Sequence, residues 1–140
     1  MLINRRKVYV EWGHCDPGGI VYFPRYFEYC DACTLALFEK AGLFKPIMLK
    51  HYGIAGIPMV DVRATYHAPS QYGDTLMVES CIPEWGRSSF RVHHKLFNAD
   101  VLAVEVFEKH AWVARTTDVP TRFKAQTIPQ EVKDAFSKRS

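Results

Sequence analysis

The chain has no run of about twenty apolar residues, so no membrane-spanning helix is expected. It also lacks internal repeats, low-complexity segments and linker-like stretches, which predicts a single domain over residues 1–140. Its opening residues, MLINRRKVYVEW, hold two arginines with no apolar run behind them; this predicts no export signal and a cytoplasmic protein. Four cysteines (Cys15, Cys30, Cys33 and Cys81) are then expected as free thiols rather than a disulfide framework. Cys30 and Cys33 form a CxxC, but inside a helix and not at its start, where the dipole would activate a thiol, so both are read as buried. The six histidines make no metal-ligand spacing on one helix face, and no metal is expected. No GxSxG elbow is present, which disfavours a serine hydrolase. A large charge excess is missing too. A dedicated nucleic-acid binder would carry a denser basic stripe, and the net charge of +3 suits an anionic small molecule just as well.

What is present is core-forming material: 48% of residues are hydrophobic and 14% aromatic, enough to fill one domain. Residues 3–12 read as a strand. GHCDPGG then breaks the pattern. From Pro24 to Ala41 the spacing turns helical, with Pro24 suited to the first turn and Gly42 to the stop. Phe27, Cys30, Thr34, Leu35, Phe38 and Ala41 recur at three- and four-residue steps and predict the inward face. FKPIMLKHY is expected as a short turn or helix. IPMVDVRATYHA, DTLMVESCIPEW, RSSFRVHHKLFNA and VLAVEVFEKHAWVAR read as four long strands joined by hairpin-length turns. From Pro129, EVKDAF has helix formers ahead of a polar end. One long helix among antiparallel strands is an α+β arrangement, with the sheet wrapped about the helix.

Two carboxylates attract attention. Asp16 lies in Asp-Pro-Gly, a turn signature by itself. The same turn would deliver an acid beside the unpaired N–H groups of a helix start, where an oxyanion can bind. Asp31 falls on the predicted inward face, where a carboxylate is costly unless it borders a cavity or finds a donor. It is either a boundary residue or an acceptor for a polar group on an otherwise apolar ligand. On the strand after Trp85, alternation puts Arg87, Ser89, Arg91, His93 and Lys95 on one face, either a solvated face or a phosphate-holding patch. His93 and His94 should point to opposite sides. Trp85 is either core or a flank for a ligand.

CDPGGIVYFPRYFEYCDACTLALFEKAGL, Gly53-Ile54-Ala55-Gly56-Ile57-Pro58 and the segment Glu84 to Phe90 together resemble the acyl-CoA thioesterases of the hotdog fold, and within them the 4-hydroxybenzoyl-CoA thioesterase family. The resemblance covers nearly the whole chain. It implies a hotdog fold, with an antiparallel five-stranded sheet wrapped around one long central helix, in homodimers or homotetramers whose sites lie between subunits. Asp16 matches the catalytic carboxylate, the backbone N–H of Phe23 the oxyanion donor, and Asp31 the acceptor of a ring hydroxyl. Tyr22, Trp85 and Arg87 complete the expected substrate-binding set. Tyr22-Phe23 contains no histidine, which favours aryl over aliphatic acyl groups. The resemblance thus implies hydrolysis of an aryl-CoA thioester, with coenzyme A part of the substrate and no cofactor, nucleic-acid or membrane partner. The alternatives are a short-chain aliphatic acyl-CoA thioesterase and a catalytically silent acyl-CoA-binding module. A hydratase would need a histidine near the acid, and His14 is the one candidate.

Overall fold

The computed structural model describes residues 1–116 and 122–138. β1 (Asn4–Tyr9) is followed by a 3-10 turn (Trp12–His14), the long helix α1 (Pro24–Lys40) and the short helix α2 (Lys45–Tyr52). Four strands come next: β2 (Met59–Tyr66), β3 (Thr75–Trp85), β4 (Ser89–Asn98) and β5 (Val101–Ala111). They form, with β1, one antiparallel five-stranded sheet in the order β1-β3-β4-β5-β2. The chain leaves one sheet edge, crosses the sheet face as α1, and returns at the opposite edge. Two short strands, β6 (Val113–Arg115) and β7 (Phe123–Ala125), pair separately, and α3 (Gln130–Ala135) closes the described chain. Among the described residues, no helix is long and apolar enough to cross a membrane.

α1 begins where Pro24, lacking an N–H, occupies its first turn, and ends where Gly42 takes φ +85°, a conformation that side chains resist. Its buried residues are Tyr26, Tyr29, Cys30, Cys33, Thr34, Leu37 and Phe38. The inward face is thus rotated from the expected one. Phe27 and Leu35 are only partly buried, and Asp31, one turn from each, is exposed on the flank and not directed at the sheet. The cause is size: two tyrosines and Leu37 bury more apolar surface than Phe27 and Leu35, and area decides which face turns inward. Cys30 and Cys33 are fully buried. Burial raises both thiols above their ordinary range, Cys33 to about 11, so neither is a nucleophile.

The expected strand over 101–115 is broken at Trp112. This residue is buried, and its N–H bonds to Ser88 O at 2.8 Å, outside the ladder. The inner face of the sheet carries Val78, Ile82, Val92, Leu96, Val104 and Val106 in alternation. It also carries a polar cluster that packs against α1: Ser80, His94, Glu108 and His110 meet Thr34, all buried. His93 and His94 point to opposite faces, as their adjacency requires.

Candidate active site

Asp16 opens a tight hairpin. Its N–H donates to Ile20 O at 2.9 Å, its O accepts from the Gly19 N–H at 2.9 Å, and its Oδ1 accepts from the Gly18 N–H at 2.8 Å. The sharp reversal falls on Gly19, at φ +82°. Cys15 and Val21 form a bridge across the hairpin, and the Tyr22 N–H donates to His14 O at 2.9 Å. The next residue, Phe23, is the N-cap of α1, and its N–H has no backbone acceptor among the described residues. A half-buried carboxylate and an uncommitted amide at a helix start are thereby held on the same short hairpin.

The arm leading into it is locked. His14 Nδ1 accepts from the Glu11 N–H (3.2 Å) and so carries no hydrogen; the Tyr29 hydroxyl at 2.8 Å must then donate to it. Nε2 donates to Glu11 Oε2 at 3.2 Å. Burial pushes the Tyr29 hydroxyl up to about 12, so it remains a donor at neutral pH. With both ring nitrogens committed, His14 is a brace for the hairpin, not the free acid or base that hydratase chemistry needs.

Two cavities of about 300 Å³ flank α1. One is lined by Ile20, Phe23, Tyr26, Tyr66 and Pro69, and lies at the helix start. Tyr22 and Phe23 meet edge to face there at 5.5 Å, and Phe23 meets Tyr66 at 6.4 Å. The other is lined by Asp31, Lys45, Ile57, Pro58, Met59 and His110. Neither cavity contains residues of the other, so one chain does not bring the Phe23 and Asp31 regions together. Trp85 lies in neither. It packs on Phe90 (5.4 Å) and Phe136 (5.3 Å), which makes it part of the core. Arg87 is not on the β4 face but in the β3–β4 turn, where Nη1 donates to Thr127 Oγ1 at 2.7 Å. Gly86 and the turn geometry divert it before alternation begins at Ser89.

Sequence reasoning missed the buried cluster, because its members are far apart in the chain. Oε1 of Glu108 accepts from the Thr34 hydroxyl at 2.8 Å and contacts His94 Nε2 (3.2 Å) and His110 Nε2 (2.9 Å). Burial alone would raise the Glu108 carboxyl; the bonds from His110, His94 and Thr34 reverse that and hold it at about 2. Oε2 is buried with no hydrogen-bond partner among the described residues. Cys30, His94 and Glu108 bring ligating atoms within 4.8 Å of one another, a grouping that no local spacing signals.

A long helix lying on a five-stranded antiparallel sheet is the hotdog-fold arrangement. The chain belongs to the thioesterase-like superfamily, whose family model matches residues 10–136. It is 39% identical over 89 residues to the 4-hydroxybenzoyl-CoA thioesterase of Pseudomonas sp. (strain CBS-3). That match spans 62% of each chain, under two thirds of the relative's length. The solved structure of the 4-hydroxybenzoyl-CoA thioesterase from that strain is similar at a TM-score of 0.86 and 28% identity, covering 95% of this chain and 98% of the other. An aspartate-to-asparagine variant of 4-hydroxybenzoyl-CoA thioesterase, complexed with 4-hydroxybenzoyl-CoA, is similar at a TM-score of 0.86 and 27% identity, covering 96% and 98%.

Proposed function

We propose that the protein hydrolyses aryl acyl-CoA thioesters to the carboxylic acid and free CoA, with a 4-hydroxybenzoyl-like group as the acyl portion. The observation that carries this reading is the Asp16 hairpin, which joins a carboxylate to the uncommitted Phe23 N–H at the start of α1. In the reaction, charge grows on the thioester oxygen, and the Phe23 N–H stabilises it; one such donor is worth about 3 kcal/mol of the barrier. Asp16 either attacks the carbonyl, expelling CoA and leaving a mixed anhydride that water opens, or takes a proton from the attacking water. Tyr22 borders the acyl path, and Asp31 accepts the hydrogen of a ring hydroxyl. The relatives named for 4-hydroxybenzoyl-CoA, one an aspartate variant bound to it, support this assignment.

The complete site needs two chains. β2 is a sheet edge with exposed apolar residues: Met59, Val60, Val62 and Tyr66. Such an edge invites pairing with another strand. Met59 lines the Asp31 cavity and Tyr66 the Phe23 cavity, at opposite ends of the strand. Antiparallel pairing of β2 with its copy sets the Met59 end of one strand beside the Tyr66 end of the other. The Asp31 cavity of each chain then adjoins the Phe23 cavity of its neighbour, twice per dimer.

The test is CoA release from a thioester panel, followed with a thiol reagent, for the wild type and Asp16→Asn. The wild type is expected to turn over hydroxylated aryl substrates, and Asp16→Asn to lose roughly several hundred-fold in kcat while still binding them. Equal rates would remove Asp16 from the chemistry. Binding without turnover by the wild type would favour the silent binding module.

A further inference from the structure

We infer that His110 is a positioning residue of the acyl cavity, which, braced from inside by Glu108, fixes the Ile57 carbonyl and with it the wall facing Asp31. The inference rests on the thioesterase reading of that cavity. His110 is the last inward-pointing residue of β5 and lines the cavity with Ile57 and Pro58. Its Nδ1 lies 2.8 Å from Ile57 O. A carbonyl only accepts, so Nδ1 carries a hydrogen. Its Nε2 lies 2.9 Å from Oε1 of the ionised Glu108 and donates to it. A flipped ring would set C–H groups against both acceptors, so the orientation is unique. Phe90 stacks on the ring at 5.1 Å with planes 6° apart, closing off tilt.

The wall itself shows why a side chain is needed. Backbone bonds tie Ala55 N–H to Val113 O, Gly56 O to the Val113 N–H, and Pro58 O to the Ala111 N–H. Among the described residues Ile57 O has no such backbone donor, and His110 supplies the bond. Glu108 gains little as a core residue: it is fully buried, and one of its oxygens has no partner among the described residues. An apolar side chain would fill the space at lower cost. What the carboxylate alone provides is a fixed anchor shared by His110, His94 and Thr34.

The test compares two amides. In His110→Asn the side-chain nitrogen stands near the place of Nδ1 and can still donate to Ile57 O; in His110→Gln it stands near Nε2 and cannot. With 4-hydroxybenzoyl-CoA, His110→Gln is expected to raise KM roughly tenfold or more with kcat within about threefold, and His110→Asn to stay near the wild type in both. A purely structural role would lower the active fraction, and so kcat, with KM unchanged. That pattern, or equal KM values for the two variants, overturns the inference. Calorimetric binding of 4-hydroxybenzoyl-CoA to Asp16→Asn, with and without each His110 variant, repeats the comparison without turnover. If the wild type releases no CoA, the hydrolase reading falls while these affinities still decide the role of His110; absence of binding by Asp16→Asn overturns both. Nitrogen-15 spectra of the wild type need no variant at all. They should show a protonated His110 Nδ1 coupled across its hydrogen bond to the Ile57 carbonyl, and an unprotonated Nδ1 overturns the inference.

Discussion

Asp16 and Asp31 show how differently two residues of one type can be read. For Asp16 the local code suffices: aspartate, proline and two glycines make a hairpin, and the hairpin ends at a helix start. Only the position of the left-handed residue, Gly19, needed coordinates. For Asp31 periodicity misled, because it weighs apolar residues without their sizes. The carboxylate borders a cavity on the helix flank and makes no hydrogen bond to the protein among the described residues, so its acceptor capacity is available to a ligand. A hydrogen bond to a charged acceptor is worth about 1.5–3 kcal/mol. Asp31→Ala should therefore lower kcat/KM for 4-hydroxybenzoyl-CoA by roughly 10- to 100-fold and leave benzoyl-CoA nearly unchanged. Parallel kinetics on the two thioesters check this; an equal loss on both would contradict the hydroxyl-acceptor role.

Among the elements, β5 departs most from its expected form. Its sequence reads as one strand to Arg115, yet Trp112 turns into the core and the chain starts a second sheet. Upstream, β5 places Glu108 and His110 on the inner face, opposite Thr34 of α1. Alternation alone implies that these two share a face; that the face is the buried one depends on register. The Glu108 carboxyl is held at about 2 in the folded protein, against 4.5 for the free group. A lowered folded value means stability that is present above about pH 4.5 and is lost as the pH falls toward 2, on the order of 3 kcal/mol. Thermal unfolding followed from pH 6 to pH 2 should show the wild type losing more stability than Glu108→Gln across that window. Parallel curves for the two would refute an ionised, bonded Glu108.

At the level of the whole molecule, the proposed function turns on the sheet edges. β1 and β2 end the sheet on opposite sides, and β2 carries exposed apolar side chains flanked by the two cavities. If sites form across paired β2 strands, each combines Asp16 from one chain with Asp31 from the other. Inactive Asp16→Asn and impaired Asp31→Ala chains, unfolded together and refolded as a mixture, should regain about a quarter of wild-type activity on 4-hydroxybenzoyl-CoA, since half the dimers hold one intact site of two. No recovery would place both acids in a site within one chain. Light scattering of the wild type at twice 16.1 kDa or more is the companion result, and a monomer would exclude shared sites.

The sequence by itself determined the long helix and the main strands, the hairpin with its acid, and the start and stop of α1, because these depend on neighbours a few residues apart: turn chemistry, capping and period. The tertiary structure decided which face of α1 turned inward, that Trp85 joined the core, that Arg87 left the β4 face, and that Thr34, Ser80, His94, Glu108 and His110 met. Those outcomes depend on side-chain volume, strand register and contacts between residues up to 74 positions apart, which no local pattern encodes.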